Sequence, residues 1–392
     1  MDRSLPLLSL PGTGETPAHT RSLRLIAALC RVARTDRVVP VASAHVAGVS
    51  YWNLGEAGLG YLEELAATGR VRVPTTLNPC AFWPEAPPPW VNEADARLQR
   101  RVLVAYEAMG VVPTCSCAPY LTGPAPLFGT HLAWAESSAV TFANSLLGAR
   151  TEREGGPGAL AAALCGYAPY AGLHVEEHRR PRVGVRVTAD LSPPWRMGLL
   201  GAWLGRALGA TVPLLTLDGP GEPTRVGWQA LCAALVTYGG PVLFHVPGHT
   251  PEAAAFPTLP HQAIVTDDAL DAEAARLCDL APGDPVDLVF TGCPHGTADA
   301  WPTPAEGASP DGPWTLRACP AGGSLPSPDG GRHLWLPGGC PAVSPLPPEV
   351  RSIATDSAKA AFYLRSRGYR VGIADTETCA RSSETGRWPH AS

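Results

Sequence analysis

Short apolar runs alternate with longer stretches of helical periodicity along the whole chain. In the first half Val38–Ala42, Val71–Thr76 and Val111–Thr114 read as strands, with Leu54–Ala67 and Leu98–Met109 as helices between them. In the second half Arg182–Thr188, Val212–Leu217, Val242–Val246, Ala263–Thr266, Val286–Thr291 and Val350–Ala354 read as strands. Met197–Leu208, Trp228–Thr237, Asp271–Leu280 and Ser357–Arg367 read as the intervening helices. Strands spaced by helices favour parallel sheets, so the alternation predicts an α/β fold. With 392 residues, 45% of them hydrophobic, the chain can bury more than one core. A break near Leu173–Pro181 suggests subdomains over 1–180 and 181–392, and Ala298–Gly331 reads mostly as loop. There is no internal repeat.

This pattern has a consequence for function. Ser43–His45, Asn78, Cys115–Cys117 and Cys293–His295 each fall just past the C-terminal end of a predicted strand. Ligands of open α/β sheets bind at that rim, so residues far apart in sequence are expected to converge there.

The segment Trp134–Leu164 carries the densest set of polar groups. Ala139, Val140, Ala143, Leu146 and Leu147 fall at helical spacing and mark a core face, while Ser137 and Asn144, two turns apart, share another. Arg150, Arg153 and Glu154 crowd the following loop, and Gly155, Gly156 and Pro157 open a second helix whose free N–H groups suit an anion. Arg150 suits a carboxylate or phosphate because a guanidinium binds in a bidentate manner; its bland alternative is a solvated salt bridge.

Charge and cysteine usage narrow the function classes. A net charge of −5 with no basic run argues against nucleic acid. No uninterrupted apolar stretch reaches the roughly 18 residues that a membrane span requires, and Met1–Thr20 lacks the order of a signal peptide. Eleven scattered cysteines fit reduced thiols in a cytoplasmic protein better than a disulfide framework.

Cys117, Cys293 and Cys340 each stand in a turn beside proline, the setting that presents a thiolate among backbone N–H groups. Three thiolates on a four-iron cluster would leave one iron open as a Lewis acid. Spacing does not single them out: Cys115 looks as good as Cys117, and Cys319 as good as Cys340. Zinc is the rival reading. His245 and His249 are four apart, but Pro247 and Gly248 between them rule out the helix that would align them.

Trp134–Pro157 resembles the W-A-E-S-S-A-V-x-F-A-N-S-x-L-G-A-R-T-x-R-E-G-G-P segment of the large subunit of aconitase X, a family of iron–sulfur hydro-lyases. Ser43–Tyr51 is similar to the family's S-A-H-V-S-G-V-S-Y loop, Gly55–Gly58 to G-E-A-G, and Thr75–Pro79 to T-T-L-N-P. Ser116–Tyr120 resembles T-C-T-P-Y, and Gly292–His295 matches G-C-P-H. Thr355–Tyr363 resembles T-D-S/N-S-x-K-A-A-x-Y, and Cys340 stands where T-D-T-C is usual, with Gly338 and Gly339 replacing the Asp-Thr pair. The match around His174 is partial, His178 standing where Asn is usual.

The resemblance spans roughly Leu25 to Trp388. It implies an aconitase-like α/β/α architecture of several subdomains around an iron–sulfur site, with Cys117, Cys293 and Cys340 as ligands. It implies catalytic roles for His45, Ser43 and Glu136. It implies substrate contacts from Ser50, Asn78, Ser137, Ser138, Asn144, Arg150, Glu154, His174 and Lys359. The partner it implies is a separate small swivelling subunit that brings a catalytic serine. The reaction implied is dehydration of a small hydroxy acid: cis-3-hydroxy-L-proline, favoured by a composition like that of a GC-rich bacterium, or mevalonate 5-phosphate. A second reading, a diverged non-catalytic scaffold, is motivated by the departures at Glu152, His249 and Pro337–Gly339.

Overall fold

A computed structural model describes residues 4–7, 14–296, 312–321 and 332–389. The described chain is α/β, with three parallel sheets and one small antiparallel sheet. In the first parallel sheet Ala44–Val46 lies between Thr75–Leu77 and Ala133–Trp134. In the second, Val183–Val187 lies between Pro213–Leu217 and His261–Val265. The third has five strands in the order His333–Pro337, Trp314–Cys319, Leu288–Thr291, Ser352–Thr355, Arg370–Ile373. Leu5–Pro6, Arg37–Pro40 and Tyr167–Pro169 make the antiparallel sheet.

The helices form where apolar periodicity meets a capping side chain. Asn92, Thr224, Thr266 and Ser357 each accept a backbone N–H of the first turn, which places the starts of Glu93–Ala108, Arg225–Thr237, Asp267–Leu277 and Ala358–Ser366. Pro194–Leu208 packs on Arg225–Thr237, burying Leu199, Leu200 and Leu231 in the largest core. A separate core under Tyr51–Ala66 and Glu93–Ala108 holds Leu59, Leu62, Val102 and Tyr106. Among the described residues no helix is long and apolar enough to cross a membrane.

Several expected elements differ. The strand expected from Val71 starts only at Thr75, since Pro74 has no N–H to give a ladder. Val111–Thr114 reduces to a single bridge between Val112 and Thr76, and Val242–Val246 to one between His245 and Leu214. Inside the stretch expected to be loop, Trp314–Cys319 is a strand, and most of the remainder lies outside the described residues. Helix Pro17–Ala33 goes unpredicted although Thr16 caps it and Pro17 opens it; its buried face is Leu23, Ile26 and Cys30.

Candidate active site

The C-terminal ends of five parallel strands, from two sheets, open onto one cavity of about 500 Å³. Asn78 follows Thr75–Leu77, Glu136 follows Ala133–Trp134, Cys293 follows Leu288–Thr291, Cys340 follows His333–Pro337, and Lys359 follows Ser352–Thr355. Cys117 joins them from the turn before helix Pro119–Thr122.

Local backbone chemistry sets each thiol. Gly292 holds φ +96°, and a Cβ there would stand 2.3 Å from the Ala318 carbonyl oxygen, so only glycine lets the strand turn into Cys293. Gly338, φ +62°, plays the same part before Cys340: a Cβ would stand 2.8 Å from Cys115 Cβ. The Cys80 N–H donates to the Gly338 carbonyl at 2.8 Å, and the Cys340 N–H to the Cys80 carbonyl at 3.2 Å. The His295 N–H donates to Cys117 Sγ at 3.1 Å. Cys115 and Cys319 are buried and do not line the cavity.

All eleven cysteines are free. Burial raises the thiol pKa of Cys117, Cys293 and Cys340, that of Cys293 to about 12, and the nearby Lys359 ammonium opposes the rise at each. Among the described residues no three His, Cys, Asp or Glu side chains converge closely enough for one metal ion. Three soft donors spread around one cavity suit a polynuclear iron–sulfur cluster instead.

Beside the thiols lies a buried ion pair between Lys359 Nζ and Glu136 Oε1. Ser138 Oγ donates to the same oxygen at 2.8 Å, and Asn78 Nδ2 donates to Oε2 at 2.8 Å. Burial alone would raise the Glu136 pKa, but Lys359, Ser138 and Asn78 outweigh it and hold the carboxyl at about 2. The same pairing overcomes the desolvation that would lower Lys359 and raises its pKa instead. Ser50, Asn53, Ser137, Arg153, Glu154, His295 and Tyr363 add further polar lining. Burial and the Glu152 carboxylate push Glu154 up to about 7.

Two adjoining sequence families account for this frame: the aconitase X first domain matches residues 10–177, and the aconitase X second domain matches 181–275. The chain belongs to the aconitase X family. The phosphomevalonate dehydratase large subunit of Methanothermobacter thermautotrophicus is 44% identical over 73% of this chain and 71% of its own. That of Thermococcus kodakarensis is 36% identical over 93% and 95%. The cis-3-hydroxy-L-proline dehydratase of Pseudomonas aeruginosa is 31% identical over 94% of this chain and 67% of its own. The crystal structure of Thermococcus kodakaraensis aconitase X in its holo-form superposes with a TM-score of 0.83 at 34% identity, covering 94% of this chain and 96% of that one.

Not every residue that the aconitase X resemblance singles out reaches the cavity. Asn144 does not: its Nδ2 donates to Thr151 O at 2.9 Å and Val242 O at 3.0 Å. Its Oδ1 accepts from Thr151 N at 3.0 Å and Arg179 Nη1 at 3.2 Å, so no capacity is left for a substrate. Two helical turns place Asn144 about 10 Å along the axis from Ser137, at the buried end of helix Ser137–Ser145. Arg150 instead pairs with Glu176 at 3.3 Å. His174 is fully buried with Nδ1 3.0 Å from His131 Nδ1, and burial drives its pKa down to about 3. Ser43 Oγ accepts the Trp134 indole N–H at 3.2 Å, away from the cavity.

Ser138 lies one layer back, its hydroxyl on Glu136. His45 lies mid-strand rather than past a strand end, fully buried behind Asn78. Arg153, which crowds the same loop as Arg150 in sequence but is not among the substrate contacts that the resemblance implies, lines the cavity. Trp134–Leu164 offers two arginines, and spacing alone does not say which one lines the cavity; Arg153 is exposed and borders both this cavity and a neighbouring one. The two histidines of the zinc reading part company as well. His245 Nε2 bonds to the Arg179 carbonyl at 2.7 Å, whereas His249 packs on Trp228 near Glu222.

Proposed function

We propose that this chain is the large subunit of a phosphomevalonate dehydratase, which removes water from mevalonate 5-phosphate with a smaller second subunit. The observation that carries this reading is the 44% identity to the Methanothermobacter large subunit, against 31% to the Pseudomonas hydroxyproline enzyme. It replaces the preference for cis-3-hydroxy-L-proline, which rested on a composition that says nothing about the pocket. Two of the departures that motivated a scaffold reading do not line the cavity: Glu152 accepts from the Leu173 N–H, and His249 lies against Trp228. The third, Pro337–Gly339, leads into Cys340, whose place in the lining is kept.

The cavity's charges favour the same substrate. Mevalonate 5-phosphate has a carboxylate at one end, a phosphate at the other and a tertiary hydroxyl between. Two cationic side chains line the cavity, and Glu136 already balances Lys359. Arg153 has no ion-pair partner among the described residues, which leaves a guanidinium for an anionic end of the substrate. In the elimination the C2–H and C3–O bonds break, a C2–C3 double bond forms, and water departs. Cys117, Cys293 and Cys340 would hold an iron–sulfur cluster, which when bound supplies a Lewis acid for the leaving hydroxyl. Asn78 and Ser137 orient the acid. Glu154, titrating near neutrality, can give or take a proton at the cavity wall.

The test is anaerobic co-expression with a small aconitase X subunit, then parallel assays with mevalonate 5-phosphate and cis-3-hydroxy-L-proline. Turnover of the phosphate ester supports the reading. Turnover of hydroxyproline alone would overturn it.

A further inference from the structure

His45 has neither the exposure nor the reach of a catalytic base, yet it sits at the head of a chain of buried polar contacts that ends on the cavity wall. Its Nδ1 is 2.8 Å from Thr76 Oγ1. Its Nε2 is buried and has no assigned partner. The groups next to the ring are the Asn78 side chain and the Ser116 backbone. Asn78 Oδ1 is buried and lacks a partner too, while its Nδ2 is committed to Glu136. A bond from Nε2–H to Asn78 Oδ1 would satisfy both orphans, and two buried polar atoms left unmet would be costly.

We infer that His45 is a positioning residue: its Nε2–H fixes the Asn78 amide and the Ser116 turn, and through them the Glu136–Lys359 pair and Cys117. The direction of every bond follows. Thr76 donates its hydroxyl proton to Nδ1, so the ring carries its proton on Nε2. Nε2–H then donates to Asn78 Oδ1, which orients Nδ2 toward Glu136, and Lys359 closes the chain on the other carboxylate oxygen. With the opposite tautomer, Asn78 would be free to flip and would present an oxygen to a carboxylate. The Ser116 backbone, one residue before Cys117, also neighbours the ring. One buried imidazole therefore braces both the ion pair and a thiol turn. The full burial of His45 fits this role, since burial opposes the charged form that a proton acceptor must reach.

The inference rests on the dehydratase reading only for its kinetic arm. The first measurement needs no substrate: imidazole nitrogen NMR of the full chain, with the His45 signal assigned by H45Q. A neutral Nε2-protonated ring whose signals move in N78A is expected. An Nδ1-protonated ring, or one blind to N78A, overturns the inference. The second measurement compares H45Q, which keeps a donor near the Nε2 position, with H45L, which has none. H45Q should stay within about threefold of the parent kcat. H45L should lose about 30-fold or more in kcat with KM nearly unchanged, yet less than about twofold when added to N78A. Loss in H45Q as complete as in H45L places chemistry on the imidazole and overturns the assignment. If H45L does not fold, H45Q and the tautomer still decide the matter. The expected tautomer with no turnover of either acid keeps the positioning role and removes the dehydratase reading.

Discussion

Lys359 and Glu136, 223 residues apart in sequence, close a buried ion pair on the wall of the cavity that the three thiols line. The pair joins a helix of the five-stranded sheet to the end of a strand in the first sheet. Its neighbours on the carboxylate are both neutral donors, so the charge is satisfied inside the protein rather than by solvent.

Removing one partner strands the other charge. K359M or E136Q should each cost about 3–5 kcal/mol in denaturant unfolding, and the double variant less than their sum. For Glu136 the folded pKa of about 2 lies below the 4.5 ordinary for a glutamate. Its contribution is therefore complete above the unfolded pKa and is lost as pH falls through the folded one. For Lys359, raised in the fold, the loss comes only at strongly alkaline pH. Unfolding curves of the parent should steepen in acid between about pH 4.5 and 2, and those of the double variant should not.

Glu154 has the opposite sign. Its folded pKa of about 7 lies above the 4.5 ordinary for a glutamate, so the fold loses stability as pH rises between these values. E154Q should be more thermostable than the parent at about pH 8, with the difference vanishing near pH 4. If Glu154 moves the proton, the limb of the kcat profile near neutrality should also disappear in E154Q.

The three thiols should act as a set. C117S, C293S and C340S should each lose most of the iron and acid-labile sulfide of anaerobically prepared protein. C115S and C319S, whose sulfurs do not line the cavity, should retain both. Retention in C340S would sink the three-cysteine assignment.

Arg153 and Arg150 are separated by the same logic. R153A should raise KM for mevalonate 5-phosphate about 10- to 100-fold, the scale of one charge-assisted contact, with kcat little changed. R150A loses a half-exposed pair with Glu176 and should leave KM within about twofold.

Much of this architecture was legible in the sequence because strand and helix periods differ. The strands around Val185, Leu215 and Leu288 appear where the pattern puts them, and the helices expected from Leu98 and Asp271 are present but start five and four residues earlier, just after the caps Asn92 and Thr266. Pattern failed where proline removed ladder donors, as at Pro74, and where a single bridge replaces a strand, as at Val112. At the site, residue type pointed to thiols, Glu136 and Asn78, but not to direction. Asn144 and Arg150 have the chemistry of ligands and the placement of struts, and only tertiary contacts with Thr151, Val242 and Glu176 reveal it. Ser43 and His174 likewise carry catalytic chemistry into positions that Trp134 and His131 occupy.

The thiols stand at positions 117, 293 and 340, on turns that belong to both halves of the chain. A cluster bound there would fasten those halves as a cross-link does, closing one loop of 176 residues from Cys117 to Cys293 and one of 47 from Cys293 to Cys340. Loop-closure entropy grows only slowly with length, so such a rivet restrains the unfolded chain at a modest native-state cost. Chelation of iron should therefore lower the melting temperature and broaden the transition, with the first half, anchored by its own core under Tyr51–Ala66, melting apart from the second.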